Sequence, residues 1–432
     1  MKPGIAHYLP LLVLATLFTT SKVTANEPGP SSSANKVEHA TIDSLIKAMS
    51  VREKVAQLFV VEIDDNNSEQ TKAEQDSLIR MGAGSLILMR GSAIDFMERV
   101  NQLQGYAKIP LLVSIDGEWG AAMRLREYLE YPRQFELGRI PNAEKLLYKM
   151  GVNVGRELKD LNVLINLAPV ADVTAVENGK SIFNDSRIFS SNPAIVAEYS
   201  AAYMKGMQDA GIFACGKHFP GSSGSDVDAH YQLPVYNATR EHIDTVDLYP
   251  YRKLFEEGLA IVMMGHASLP CIDEAGIPLS ISYKGVTELL KEQMGFKGVV
   301  MTDALQMGAI AQHYTPVEGN VMAYCAGIDM MLMPKEIFAT IDTLTNMVER
   351  GELPMEQLDA KVRKVLELKE KAGYFKPGFN PYVLNVEKKI LSARRRDSRL
   401  IRKMTRELIR CGWGHPVLNW RDPTLVLDKA GK

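Results

Sequence analysis

Two acidic side chains and an imidazole stand out as residues that could do chemistry. Lys217-His218-Phe219-Pro220-Gly221 is followed closely by Asp226-Val227-Asp228-Ala229-His230. Asp228 and His230 stand two apart, so within one loop a carboxylate can orient and charge an imidazole. Such a pair suits proton transfer near neutral pH. Far along the chain, the apolar run Gly298-Val299-Val300-Met301-Thr302 ends in one carboxylate, Asp303. A carboxylate delivered this way can stabilise or bond to an oxocarbenium-like carbon, or it can cap the next helix. Two weaker stretches add binding groups. Ile115-Asp116-Gly117-Glu118-Trp119 leads to Arg124, and Asn184-Asp185-Ser186-Arg187 is a loop-borne arginine. A carboxylate can accept from two hydroxyls and a guanidinium can grip an oxygen. Trp119 reads as an apolar platform or a core residue.

Two other readings fit the same residues poorly. His218, Asp226, Asp228 and His230 are all metal-ligand types, but there is no CxxC and no helical i, i+4 histidine pair, so no metal is expected. Gly211 to Lys217 has the spacing of a phosphate-binding loop. His218 stands where a Ser or Thr hydroxyl is needed, and apolar residues fill the loop.

These residues fall at the ends of apolar runs. The spacing predicts strands over Leu58–Ile63, Ser85–Met89, Leu111–Ile115, Val163–Val170, Ile212–Cys215, Ile261–Met264, Gly298–Thr302 and Asp329–Met333. None alternates with polar residues, as expected of parallel strands buried on both faces. Helical patterns lie between them, including Asp95–Leu103, Ala143–Leu158, Pro193–Asp209, Val286–Met294 and Glu336–Val348, with a last one at Gln357–Lys371. Ser50 and Glu53 form a capping box. Eight strand-then-helix units predict an α/β fold, a (β/α)₈ barrel, rather than a doubly wound sheet, which would carry GxGxxG after its first strand. Barrel chemistry sits at the C-terminal strand ends. Asp116, Asp172, Lys217, His218, His266 and Asp303 would all follow strands there, lining a polar pocket.

The net charge of −2 gives no bulk attraction to nucleic acid. Cys215, Cys271, Cys325 and Cys411 show no paired spacing and are read as small buried residues. Residues 1–25 combine Lys2, an apolar run and a small-x-small ending, the pattern of a cleaved signal peptide. The expected location is therefore secreted or periplasmic, with no stable membrane insertion after cleavage. Residues 26–40 read as a flexible leader and 41–378 as the barrel. Residues 379–432 read as a basic helical tail, the truncated start of a second domain. Its segment Arg394–Arg410 carries eight basic residues against two acidic ones, which predicts a solvated helix followed by a loose end rather than a polyanion-docking segment.

Together these motifs resemble glycoside hydrolase family 3, in its β-N-acetylglucosaminidase branch, over roughly residues 41 to 378. Members of that branch read KHFPGHGDTDVDSH where this chain has KHFPGSSGSDVDAH. The resemblance implies a retaining exo-β-N-acetylhexosaminidase acting on cell-wall or chitin-type glycans, with no cofactor and with an oligosaccharide or muropeptide as substrate. It implies Asp303 as nucleophile and His230, supported by Asp228, as acid/base. Asp116, Arg124, Arg187, Lys217 and His218 would bind the sugar. Three departures stand out. Ser222-Ser223-Gly224-Ser225 and Ala229 replace polar residues of the acid/base loop. SIDGEWG replaces the commoner IDQEGG. The chain ends where longer members continue into a sandwich domain. A β-glucosidase or xylosidase of the same fold, a catalytically silent sugar-binding domain, and transfer to phosphate in place of water all stay open.

Overall fold

The computed structural model describes residues 41–173, 187–221 and 227–413, together with the backbone of a short antiparallel pair, Val176–Glu177 and Lys180–Ser181. The expected signal peptide and leader, the Ser222–Ser225 loop, Asp226 and the last residues of the tail lie outside the described residues.

Eight parallel strands form the barrel: β1 (Phe59–Ile63), β2 (Ser85–Leu88), β3 (Leu112–Ile115), β4 (Ile165–Asn166), β5 (Phe213–Phe219), β6 (Ile261–Met264), β7 (Val299–Thr302) and β8 (Met331–Leu332). Each pairs with the next in chain order. β8 returns to β1, with Phe59 beside Met331, and a parallel bridge between Met301 and Met330 joins it to β7. The ring is that of a (β/α)₈ barrel. All eight predicted strands are present; most lose a residue or two at their ends, and the predicted Val163–Val170 shrinks to Ile165–Asn166. β2, β3, β6 and β7 are buried at every position, which is why their sequences do not alternate.

The helices follow the predicted pattern. Asp95–Leu103 is the inside of a helix Ala93–Tyr106, and Pro193–Asp209 is found as predicted, with Asn192 accepting from Ala194 N–H. The Ser50–Glu53 capping box is formed on both sides.

Three expectations need correction. Lys217 and His218 lie inside β5 rather than after it, because that strand runs on to Phe219 across a register shift between Gly216 and Phe219. Cys271 and Cys411 are exposed; they sit in a turn and at a helix C-cap, not in the apolar runs that bury Cys215. The tail helix is also more than a solvated face. It runs from Val386 to Arg410 and buries Ile390, Ala393, Asp397, Ile401, Met404 and Leu408. The i, i+3, i+4 spacing of those six residues makes one docked stripe, and it seats on the helix Glu144–Asp160.

Candidate active site

The polar residues at the strand ends converge on the C-terminal rim of the barrel. β3 hands over to Asp116, Gly117 and Glu118. Asn166 of β4 brackets the middle residue: its Oδ1 accepts from Gly117 N–H at 2.9 Å and its Nδ2 donates to Gly117 O at 3.1 Å. Tyr203 Oη–H donates to the same carbonyl at 3.0 Å. A Cβ on Gly117 would stand 3.0 Å from Asn166 Oδ1, so a bare residue suits this close approach.

Held in this way, Asp116 and Glu118 frame Lys217. Its Nζ donates to Asp116 Oδ1 at 2.7 Å and lies 2.8 Å from Glu118 Oε1. Arg124 completes the Asp116 side, eight residues on, by donating to Oδ2. Arg187 completes the Glu118 side as a fork, with Nη2 2.8 Å from Oε1 and Nε 3.1 Å from Oε2. Burial would raise both carboxyls, but Lys217 and then Arg124 hold Asp116 well below the usual carboxylate range. Lys217 and Arg187 hold Glu118 at about 2. Both stay ionised, and the cations stay fixed between them.

His218 joins this cluster to Asp303. Its Nδ1 lies 2.8 Å from Asp172 Oδ2, and its backbone N–H donates to Asp172 Oδ1 at 3.2 Å. Its Nε2 lies 3.4 Å from Arg187 Nη2. The same Nε2 stands 4.0 Å from Asp303 Oδ2. Asp303 is fixed at the end of β7 by its N–H on Met264 O at 2.9 Å and by Ala304 N–H on its Oδ1 at 2.8 Å. It does not cap the following helix, Gly308–Ala311, whose N-cap is Met307. Burial would raise its carboxyl, yet the facing His218 and His266 and the Ala304 N–H lower it. Asp303 is thus an anion whose Oδ2 faces His218.

The Asp228–His230 pair sits over this rim and is exposed. Asp228 Oδ1 accepts from His230 N–H at 2.9 Å and meets its Nδ1 at 2.7 Å. The loop is joined by its backbone to the segment after Asp303. Gly308 N–H donates to His230 O at 3.0 Å and Ala309 N–H to Ala229 O at 3.1 Å. The structure therefore brings together Asp116, Arg124, Arg187, Lys217, His218 and Asp303, with Asp228 and His230 tied to the same rim.

Other groups play supporting roles. His266 is buried between Ser280 Oγ (2.7 Å) and Ala304 O (3.0 Å) and steadies the backbone beside Asp303. Trp119 packs half-buried under the guanidinium of Arg133, 4.6 Å from its ring centre. The sequence reading passed over Glu118 as a site residue. Its signal was its place in the Asp116 motif, where a second carboxylate on the same turn needs cations of its own. Among the described residues no group of three or more His, Cys, Asp or Glu is arranged to hold a metal ion.

Comparison with known proteins supports the barrel. Residues 50–368 match the glycosyl hydrolase family 3 N-terminal domain. Beta-hexosaminidase A of Pseudoalteromonas piscicida is 29% identical over 292 residues, spanning 62% of this chain and 48% of that protein. Beta-hexosaminidase LpqI of Mycobacterium tuberculosis is 32% identical over 334 residues, spanning 74% of this chain and 83% of that protein. A solved family 3 β-N-acetylglucosaminidase from Paenibacillus sp. FPU-7 superposes with a TM-score of 0.72 at 27% identity, covering 83% of this chain and 69% of that one. The chain thus spans about half the length of one such relative and most of the others. On the strength of its matched barrel, the chain belongs to glycosyl hydrolase family 3.

Proposed function

We propose that this protein is a retaining exo-β-N-acetylhexosaminidase that releases N-acetylglucosamine through a covalent glycosyl-enzyme. The observation that carries the reading is Asp303, a carboxylate held below its ordinary value at the end of β7 with Oδ2 4.0 Å from His218 Nε2, beside the Asp116–Lys217–Arg187 cluster. In the first step Asp303 Oδ2 bonds to the anomeric carbon. The bond from that carbon to the leaving oxygen breaks, and His230 gives its Nε2 proton to that oxygen. In the second step water attacks the same carbon, His230 takes a proton from it, and Asp303 leaves. The Asp228 carboxylate on Nδ1 holds the imidazole with Nε2 outward and stabilises it while charged. Asp116, Arg124, Lys217, His218 and Arg187 hold the sugar by its hydroxyl and acyl oxygens, where their charges are already fixed before substrate arrives.

The names of the hexosaminidase and N-acetylglucosaminidase relatives support the choice of sugar. We extend it to cell-wall glycans, muropeptides included, met outside the cytoplasm, because the first 25 residues have the basic start, apolar run and small-x-small ending of an export signal. Incubation with a fluorinated aryl N-acetylhexosaminide that stalls the second step tests the mechanism. Intact mass should rise by one glycosyl group, and peptide mapping should put it on Asp303. Turnover of aryl glucoside or xyloside in preference to N-acetylglucosaminide would move the substrate to another sugar. Absence of any turnover together with saccharide binding would make the domain a lectin.

A further inference from the structure

The C-terminal helix, Val386–Arg410, has two faces of different chemistry. Its apolar stripe is pressed against the helices Ala93–Tyr106, Gln134–Leu137 and Glu144–Asp160. Two of its arginines take part in that docking. Arg394 Nη1 donates to Glu127 O at 3.2 Å. Arg396 Nε lies 3.2 Å from Asp397 Oδ1, and its Nη2 donates to Asn153 O at 3.4 Å. Just past the helix, Trp413 stands edge-on to Phe135 at 5.9 Å, with the Arg139 guanidinium 4.2 Å from its ring centre. The helix is therefore fixed in rotation, and its opposite face points outward.

That outer face is a row of cations. Arg395, Arg399, Arg402, Arg406 and Arg410 follow one another at i, i+4, i+7, i+11 and i+15, with Lys403 beside them, and all six are exposed. At 1.5 Å per residue the row is about 22 Å long. Arg410 pairs with Glu407 at 2.8 Å; the other five have no acidic partner among the described residues. Leu391, one turn before Arg395, and Ile409, two turns after Arg402, share this side of the helix. They are 36% and 56% exposed, and Leu384, just before the helix, is 61% exposed. Among the described residues these are the only exposed leucines or isoleucines. A chain whose net charge is −2 thus gathers an unbalanced row of cations and its exposed leucine and isoleucine side chains on one ridge.

We propose that this ridge adsorbs the protein to an anionic phospholipid surface. Guanidinium forks suit phosphate oxygens, and basic side chains are drawn to anionic headgroups within a Debye length of the surface. Leu391 and Ile409 lie toward the two ends of the row, where they enter the interfacial layer while the long basic side chains keep their charges at the headgroups. Those aliphatic groups favour lipid over nucleic acid, whose phosphate backbone gives them nothing apolar to cover. The outer side of a helix is convex, which suits an extended surface better than a single small anion. Adsorption here is not insertion. The apolar stripe of the helix is already covered by the barrel, and no helix among the described residues is long and apolar enough to cross a membrane.

The inference goes beyond the glycosidase reading and is tested without it. Partition of the full chain is measured by sedimentation with vesicles of phosphatidylcholine alone and of phosphatidylcholine with about one-third phosphatidylglycerol. The wild type should bind the anionic vesicles at least about tenfold more tightly, and the preference should collapse at about 1 M salt. The triple variant Arg399→Glu, Arg402→Glu, Arg406→Glu should reduce the preference to within about twofold of none, with melting temperature unchanged because all three side chains are exposed. If that protein does not fold, the same three positions changed to Gln decide, with the same loss expected. Leu391→Ser with Ile409→Ser should weaken anionic binding severalfold and leave its salt dependence in place. Residues 1–25 are common to every protein compared, so their contribution cancels. No preference in the wild type, or an equal preference in the folded triple variant, overturns the inference. Tighter binding to a DNA duplex than to anionic vesicles, lost in the same variant, overturns it in favour of nucleic acid.

Discussion

Replacing Glu118 by glutamine tests whether the binding charges are set in advance. Glu118 has no exposed surface and makes three charge-assisted contacts: Lys217 at 2.8 Å, Arg187 Nη2 at 2.8 Å and Arg187 Nε at 3.1 Å. Glutamine keeps one carbonyl acceptor but turns an NH₂ toward a cation. One contact is lost outright and one cation loses its counter-charge. A hydrogen bond to a charged group is worth about 1.5–3 kcal/mol, and breaking a buried ion pair costs about 3–5 kcal/mol. Asp116 repels Glu118, so losing that charge returns part of the cost, and the lower end applies: about 3 kcal/mol. At about 1.4 kcal/mol per factor of ten, kcat/KM on the aryl N-acetylglucosaminide should fall about 100-fold. Most of the loss should appear in KM, because Lys217 and Arg187 hold the sugar in both ground and transition states. A Glu118→Gln protein within about threefold of wild-type kcat/KM would refute the claim that these cations are pinned by Glu118.

Three further outcomes follow. His230→Ala should lower kcat about 10²–10⁴-fold on an oligosaccharide but far less on an aryl glycoside whose leaving group needs no proton; equal losses on both substrates would assign the acid to another residue. Gly308→Ala would put a Cβ 2.5 Å from Tyr231 O and 2.8 Å from His230 O, so the acid/base loop must shift by close to an ångström and kcat should drop about 100-fold, with KM little changed. The Glu157 carboxyl is raised on folding by burial and then by Asp397, so its contribution to stability is complete below the ordinary carboxylate range and is lost as pH rises through the folded value. Melting temperature should therefore decline as pH rises above the ordinary carboxylate range, and Glu157→Gln should flatten that decline.

The barrel was legible because its strands are buried on both faces. A run such as Ile261–Met264 has no polar alternation to confuse it, and helical patterns such as Asp95–Leu103 and Pro193–Asp209 stand between several of the runs. What misled was local. β5 runs through Lys217 and His218, charged and aromatic residues that look like the end of a strand. They stay in it because Asp116, Glu118 and Asp172, from other strands, satisfy them. The C-terminal helix was misread for a related reason. Its six buried residues are scattered through a run of arginines, and it takes the helices packed across from them, Glu144–Asp160 foremost, to give the stripe something to cover.

The site divides the same way. Asp303, Asp228 and His230 stand out because a lone carboxylate at the end of an apolar run, and a carboxylate two residues from an imidazole, are unusual patterns by themselves. Glu118 carries no such mark: next to Asp116 it reads as a second acid on a turn, and its importance lies in two cations contributed by residues 69 and 99 positions later. The tie between the acid/base loop and the nucleophile segment leaves still less trace. It is made mostly by backbone, Gly308 N–H to His230 O and Ala309 N–H to Ala229 O, which any sequence supplies, with Gln312 Nε2 donating to Tyr231 O beside them. Only the lack of a side chain at Gly308 betrays it, since a Cβ there would strike the loop. The two halves of the proposed reaction are thus recognisable one at a time from residue type, while their mutual placement depends on a close approach that one glycine permits.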